Sequence, residues 1–196
     1  MISLRRIYAV VRRLRQSLGF GVHSPYVYAL LTDVFRERLP YYAYGEIERL
    51  SGGSARVDKL LFRLVNRFRP ESIVGLGAGS AQRLECMAMA KPDVRCHVAD
   101  AFSSGLFTCL LGEGEKIGFL YLSPAEALQG VCEEALPLTD ERSVFIIDGI
   151  HATSERRMEW EALENDRRTG ITFDLYDVGL VFFDLARPRR NYRMMF

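Results

Sequence analysis

The chain has 196 residues, 48% of them hydrophobic, with a formal net charge of +1. That length fits one domain, or one domain with an extension, and the apolar share is ample for a buried core. A near-neutral balance excludes a bulk polycation or polyanion, so nucleic acid is disfavoured as a partner, and the four cysteines (Cys86, Cys96, Cys109, Cys132) lack C-x-x-C spacing, which argues against a structural zinc site or a disulfide scaffold and fits reduced thiols in a cytoplasmic protein.

In chain order, the first predicted element is a helix over Ile2–Leu18. Ile7, Val10, Val11, Leu14 and Leu18 share one stripe, and Arg5, Arg6, Arg12, Arg13 and Arg15 lie on the other faces. Those arginines interrupt any signal-peptide core, and no apolar run anywhere approaches the roughly 18–20 residues that span a bilayer. The stripe reads as a packing face, against the domain or against a second copy of the chain in a homodimer. Membrane-surface docking and an RNA-facing arm are the weaker readings, since a basic amphipathic helix alone is a poor sign of either. Ser24 is placed to cap a second helix over Tyr26–Arg38 with Pro25 in its first turn. His23, in that capping turn, reads as structural before catalytic. Ser51-Gly52-Gly53-Ser54 is a flexible joint, which divides the chain into a helical N-terminal extension, 1–53, and a core, 54–196.

Within the core, Val57, Leu60, Leu61, Leu64, Val65 and Phe68 mark a helix that Pro70 stops. A strand follows at Ser72–Leu76, a helix at Ala81–Ala90, and a strand that ends on Asp100. A short helix near Ser103–Leu111 leads to a strand at Ile117–Leu122, and Ser123-Pro124 is read as the start of a helix to Ala135. Ser143–Ile147 is a strongly apolar strand ending at Asp148-Gly149. Thr153 or Ser154 caps a charged helix to Asn165. Ile171–Tyr176 and Gly179–Asp184 alternate as strands about a turn at Asp177-Val178, and Tyr192–Phe196 is the last strand candidate. This alternation predicts an α/β Rossmann-like fold: a mostly parallel sheet with antiparallel C-terminal strands.

The chemistry concentrates at Gly75-Leu76-Gly77-Ala78-Gly79 and at Asp100. A Gly-rich strand-to-helix turn lets backbone approach a ligand, and an acid at the tip of the next strand suits ribose hydroxyls. A nicotinamide or flavin fingerprint starting at Gly75 would need a third glycine where Ser80 stands, and no Lys follows for a phosphate P-loop. Asp148 and His151, at the end of a core strand, suit an acid–base pair. The plainer alternative is that both only bond backbone groups where the next helix begins. No third metal ligand accompanies them, so no metal is expected. Trp160, Phe173, Phe182 and Phe183 read as core, and no G-x-S-x-G elbow supports serine hydrolysis.

Residues 59–90, from Lys59-Leu60-Leu61 through Ile73-Val74-Gly75-Leu76-Gly77 to Met89-Ala90, resemble the class I S-adenosylmethionine-dependent methyltransferases, in the branch of small bacterial O-methyltransferases. Residues 143–183 are similar to that family's later strands, and the His23-Ser24-Pro25 turn looks like an N-terminal feature of its bacterial members. The resemblance implies a seven-stranded sheet with the last strand antiparallel. It also implies methyl transfer from S-adenosylmethionine to a small-molecule acceptor. On it, Gly75, Gly77 and Gly79 lie against the methionine and ribose portion, Asp100 bonds the ribose, and Asp148 and His151 orient or deprotonate an acceptor hydroxyl. The sequence departs from the family at three points. Gly75 or Ile73 stands where the first strand carries an acid. The segment between Asp100 and Ile117 is too short for the usual second helix and third strand. The strand Phe119–Leu122 runs into Ser123-Pro124 without an acid. A second expectation follows from these departures: a catalytically inactive protein of the same fold, using its extension for binding or dimerisation.

Overall fold

The computed structural model describes residues 13, 14, 17, 19, 22–51 and 55–196. Most of the predicted Ile2–Leu18 helix lies outside the described residues, as do Gly52, Gly53 and Ser54 of the predicted joint. Helix α1, Pro25–Leu30, starts as the sequence predicts. Ser24 is extended, its Oγ accepts the Val27 N–H at 3.4 Å, and Pro25 occupies the first turn. The helix continues as a π-helical turn over Leu31–Phe35, where the Arg36 N–H closes on the Leu31 carbonyl at 2.9 Å, and ends short of Arg38. Helices α2, Tyr44–Ser51, and α3, Arg56–Phe68, follow. Leu60, Leu61, Leu64 and Val65 of α3 are fully buried, the stripe that its three- and four-residue spacing foretells.

The core alternates strand and helix: β1 (Ser72–Leu76), α4 (Ser80–Ala88), β2 (Arg95–Ala99), α5 (Leu106–Leu110), β3 (Phe119–Leu122), α6 (Leu128–Ala135), β4 (Val144–Asp148), α7 (Ser154–Asn165), β5 (Ile171–Asp174), β6 (Val178–Phe182) and β7 (Arg190–Arg193). The seven strands form one sheet in the order β2-β1-β3-β4-β6-β5-β7. The ladders β1·β2, β1·β3 and β3·β4 are parallel. β6 runs antiparallel to both β4 and β5, and β7 is parallel to β5. Antiparallel pairing is therefore confined to the C-terminal strands, as predicted. The reversed strand is the sixth rather than the last, because β7 adds itself outside β5 in the same direction.

Helices cover both faces. On one, Ile73, Phe119, Tyr121, Val144, Ile146, Phe173 and Leu180 pack with Val27, Leu30, Leu31, Val34 and Phe35 of the N-terminal helical segment and with α3 and α4. On the other, Val74, Leu76, Leu120, Leu122, Phe145 and Ile147 meet Phe107 of α5, Leu128 and Val131 of α6, and Trp160 and Leu163 of α7. Alternate strand residues thus feed alternate faces. At about 1.5–3 kcal/mol for each large apolar side chain removed from water, this two-sided burial is what holds the strand tips in place.

Three local expectations shift. The helix expected from Ser123 begins at Leu128, because Arg156 on α7 takes the Ser123 and Glu126 carbonyls at 2.9 and 2.6 Å and satisfies that backbone as a turn. The turn between β5 and β6 is Leu175–Asp177, with Tyr176 left-handed at φ 77° and its N–H held by the Asp174 carboxylate at 2.9 Å. The last strand lies at Arg190–Arg193, where Ile171–Asp174 offers a free edge, and the Met194 N–H ends the ladder on the Asp174 carbonyl at 2.8 Å.

Candidate functional site

The C-terminal ends of the parallel strands gather the loops that follow them, the place where open α/β sheets hold ligands. The three glycines at the end of β1 and in the turn after it are there for three different reasons. A Cβ on Gly75 would stand 2.6 Å from Leu84 Cδ1 and 3.1 Å from Ser80 Cβ, so α4 packs directly on the strand and a side chain there would have to displace Leu84. Gly77 is left-handed at φ +86°; its N–H donates to the Ala99 carbonyl at 2.9 Å, and a Cβ there would meet Ser123 Oγ at 2.2 Å and Glu126 Cγ at 2.7 Å. Gly79, at φ +79° and directly before α4, faces open space. Of the three, Gly79 alone leaves room for a ligand beside the turn.

Asp100 is exposed one residue beyond β2. The Leu76–Ala99 register and the Gly77 N–H bond to Ala99 bring it alongside the turn. Two residues further on, the Phe102 N–H donates to Glu126 Oε2 at 2.9 Å. Ser123, 1% exposed, opens the loop after β3; its N–H is tied to the Leu76 carbonyl at 3.0 Å and its Oγ has no hydrogen-bond partner among the described residues. Arg156, 3% exposed, braces this loop from behind through the Ser123 and Glu126 carbonyls, and reaches the Asp148 carbonyl at 3.4 Å. Burial pushes the Arg156 guanidinium below its ordinary value, and Glu159 opposes the shift.

Asp148 ends β4. Its Oδ2 accepts the Tyr121 hydroxyl of β3 at 2.7 Å and lies 3.5 Å from Arg83 Nη2. Arg83, on α4, also pairs with Asp58, and Asp58 accepts the Ser51 hydroxyl at 2.5 Å. Burial, then the neighbouring Asp148 charge, pushes the Tyr121 phenol well up, so it remains a protonated donor. For Arg83, burial pulls down, but the Asp58 and Asp148 carboxylates outweigh it and the guanidinium stays charged.

His151 joins a different network. Its Nε2 lies 3.1 Å from Asp174 Oδ2, and Arg13 grips the same carboxylate with two bonds of 2.8 and 2.6 Å. Arg13 Nη2 lies 3.5 Å from the same Nε2, so this nitrogen stands between a carboxylate that only accepts and a guanidinium that only donates, and its role follows the ring's tautomer. Burial pushes the Asp174 carboxyl up, but the Arg13 bonds and charge, with the Tyr176 N–H and His151, hold it below the usual carboxylate range. The Tyr176 ring, 59% exposed, lies 5.4 Å from the imidazole. Ser17 completes the clamp: its Oγ donates to the Arg13 carbonyl at 2.8 Å and accepts the Met195 N–H at 2.7 Å.

The structure therefore brings Gly77, Gly79 and Asp100 together on one side of the strand ends, packs Gly75 away from them, and gives Asp148 and His151 separate partners instead of each other. Sequence reasoning missed Tyr121, Arg83, Ser123, Glu126, Asp174 and Arg13. A tyrosine in the otherwise apolar run Phe119–Leu122 was a usable signal; the rest carried none. Among the described residues, no group of three or more His, Cys, Asp or Glu side chains is placed to hold a metal ion.

No protein-family model and no curated protein matches the chain. Solved structures do match. A methyltransferase from Podospora anserina, PaMTH1, bound to S-adenosylhomocysteine, superposes with a TM-score of 0.53 at 9% identity over 81% of this chain and 93% of that one. A methyltransferase from Geobacter sulfurreducens gives 0.53 at 14% identity over 76% and 92%. The O-methyltransferase TomG from Streptomyces achromogenes, in complex with S-adenosylmethionine, gives 0.50 at 15% identity over 93% and 99%. The fold is that of the class I methyltransferases. Identities this low carry the architecture alone, and the chain spans nearly the whole length of each of these three proteins. No helix among the described residues is long and apolar enough to cross a membrane.

Proposed function

We propose that this protein transfers a methyl group from S-adenosylmethionine to a hydroxyl of a small-molecule acceptor. The observation that carries the reading is the exposed Asp100 carboxylate, held beside the Gly77–Gly79 turn by the 2.9 Å bond from the Gly77 N–H to Ala99. The S-adenosyl ligands named for PaMTH1 and TomG, on the same architecture, support it. The residues fit the nucleoside end of such a cofactor: Asp100 offers two acceptors for a pair of ribose hydroxyls, and Gly79 leaves space next to the first turn of α4.

When bound, the cofactor supplies an electrophilic methyl group on a sulfonium. The chain's own part is to place and deprotonate the acceptor. Asp174 orients the His151 ring through Nε2 and balances the positive charge the ring gains as it takes the hydroxyl proton. Tyr121 and Arg83 set the orientation of the Asp148 carboxylate, which accepts the acceptor's hydrogen bond and aligns it for attack. Titrating the full chain with S-adenosylhomocysteine by calorimetry tests the reading. Micromolar binding is expected, and Asp100→Ala weakens it roughly 10–100-fold, the worth of a hydrogen bond to a charged group.

A second reading is a catalytically inactive protein of this fold. It is favoured by the lack of an acid at either Gly75 or Ile73, with α4 packed on Gly75 through Leu84, and by Gly77, whose lack of a side chain Ser123 and Glu126 explain. In that reading the N-terminal extension serves a partner or a homodimer. The absence of heat and of thermal shift at millimolar ligand would select it. Deleting residues 1–18 then lowers the molar mass measured by light scattering from dimer to monomer; an unchanged monomer removes the dimer.

A further inference from the structure

Three loops meet at one point beside the glycine turn, and one side chain joins them. Glu126 leaves the loop after β3, passes Gly77 so closely that its Cγ lies 2.7 Å from where a Cβ on that glycine would be, and places Oε2 on the Phe102 N–H at 2.9 Å. It therefore lies between the turn after β1 and the loop after β2, near the exposed Asp100. Ser123 Oγ points at the same glycine, at 2.2 Å from that Cβ position, buried and without a partner among the described residues. A buried hydroxyl left unbonded is costly unless something arrives to bond it. The backbone beneath cannot give way easily, because Arg156 holds both the Ser123 and the Glu126 carbonyls. The Glu126 side chain, only partly buried, can turn about its own bonds once the Phe102 contact breaks.

From this we infer that Glu126 is an internal competitor for the cofactor crevice. Its carboxylate occupies the Phe102 N–H, and its Cγ stands beside Ser123 Oγ at Gly77; a nucleoside-bearing ligand takes up both hydrogen-bonding groups once the side chain swings out. The inference rests on the methyltransferase reading for the ligand, but the sign of its effect is its own. A residue that contacts the ligand weakens binding when removed, whereas a competitor strengthens it.

The test uses the full chain, S-adenosylhomocysteine as the probe, and the variants Glu126→Ala and Glu126→Gln. Glu126→Ala is expected to bind roughly tenfold more tightly than the parent, since a charge-assisted hydrogen bond no longer has to break. Glu126→Gln keeps an acceptor for Phe102 without the charge, and is expected to fall between the two. Independently of any ligand, hydrogen exchange at the Phe102 amide is expected to speed up in Glu126→Ala. Affinity equal to or weaker than the parent's, or unchanged Phe102 protection, overturns the inference while leaving the methyltransferase reading intact. Binding by Glu126→Ala when the parent shows none supports both. If neither parent nor variants bind, the cofactor reading fails and the inference falls with it, and the Phe102 exchange still reports whether the contact exists.

Discussion

The two halves of the strand-end rim are built on opposite principles. On the side of β1, β2 and β3, polar groups are under-used: Asp100 is exposed, Ser123 Oγ has no partner among the described residues, and Gly79 faces open space. On the side of β4, β5 and β6, the carboxylates are bonded to neighbours. Asp174 meets Arg13, His151 and the Tyr176 N–H, and Asp148 meets Tyr121 and Arg83. A half that keeps hydrogen-bonding capacity in reserve suits a ligand that must bring its own partners. A half that spends its capacity internally suits groups whose orientation has to be settled before an acceptor arrives. On the proposed function, the cofactor belongs to the first half and the acceptor to the second.

The sharpest way to break that comparison is at Asp174. Asp174→Ala leaves Arg13 and His151 without their shared carboxylate, and unfolding by denaturant is expected to show a loss of about 3–5 kcal/mol, the range for removing one member of a buried ion pair. The pH dependence follows the same contact. Because the folded carboxyl titrates below its ordinary value, its contribution is fully present above the unfolded range near pH 4 and is lost as pH falls through the lowered folded value. The parent's acid limb below about pH 4 is therefore expected to be steeper than the variant's. A variant with unchanged stability and an unchanged acid limb would mean that this half is not organised around Asp174.

A smaller effect separates the glycines of the other half. Gly77→Ala combines left-handed strain with contact against Ser123, and about 2–3 kcal/mol of destabilisation is expected. Gly79→Ala bears only the backbone cost, about 1 kcal/mol, since its Cβ enters open space. Equal losses from the two substitutions, measured by thermal unfolding, would contradict the distinction between a packed turn and an open one.

Much of this was legible in the chain before folding. The apolar runs around Ile73, Phe119 and Phe145 announced buried parallel strands, and Pro25, Pro70 and the Gly75–Gly79 run marked where elements stop and start. Asp100 and Asp148 were found because strand tips are where such a sheet presents side chains. The Ser123–Glu126 turn was misread as helix, because Pro124 suits a first turn equally well. What overrode that preference is Arg156, more than thirty residues away, whose guanidinium supplies donors that no local pattern reveals. The sequence spacing pairs His151 with Asp148, which the structure does not. The actual partner, Asp174, reaches it from the neighbouring antiparallel ladder, and Arg13 reaches Asp174 across 161 positions of sequence.

The sequence by itself determined the order of strands and helices, the glycine turn and the carboxylate at the tip of β2, since these depend on backbone sterics and on apolar periodicity within a few residues. Only the tertiary structure decided which polar groups are spent on one another and which are kept free. That choice depends on side chains brought together by the packing of both faces of the sheet, and hydrogen-bonding capacity becomes used or spare only once burial has removed water as the alternative partner.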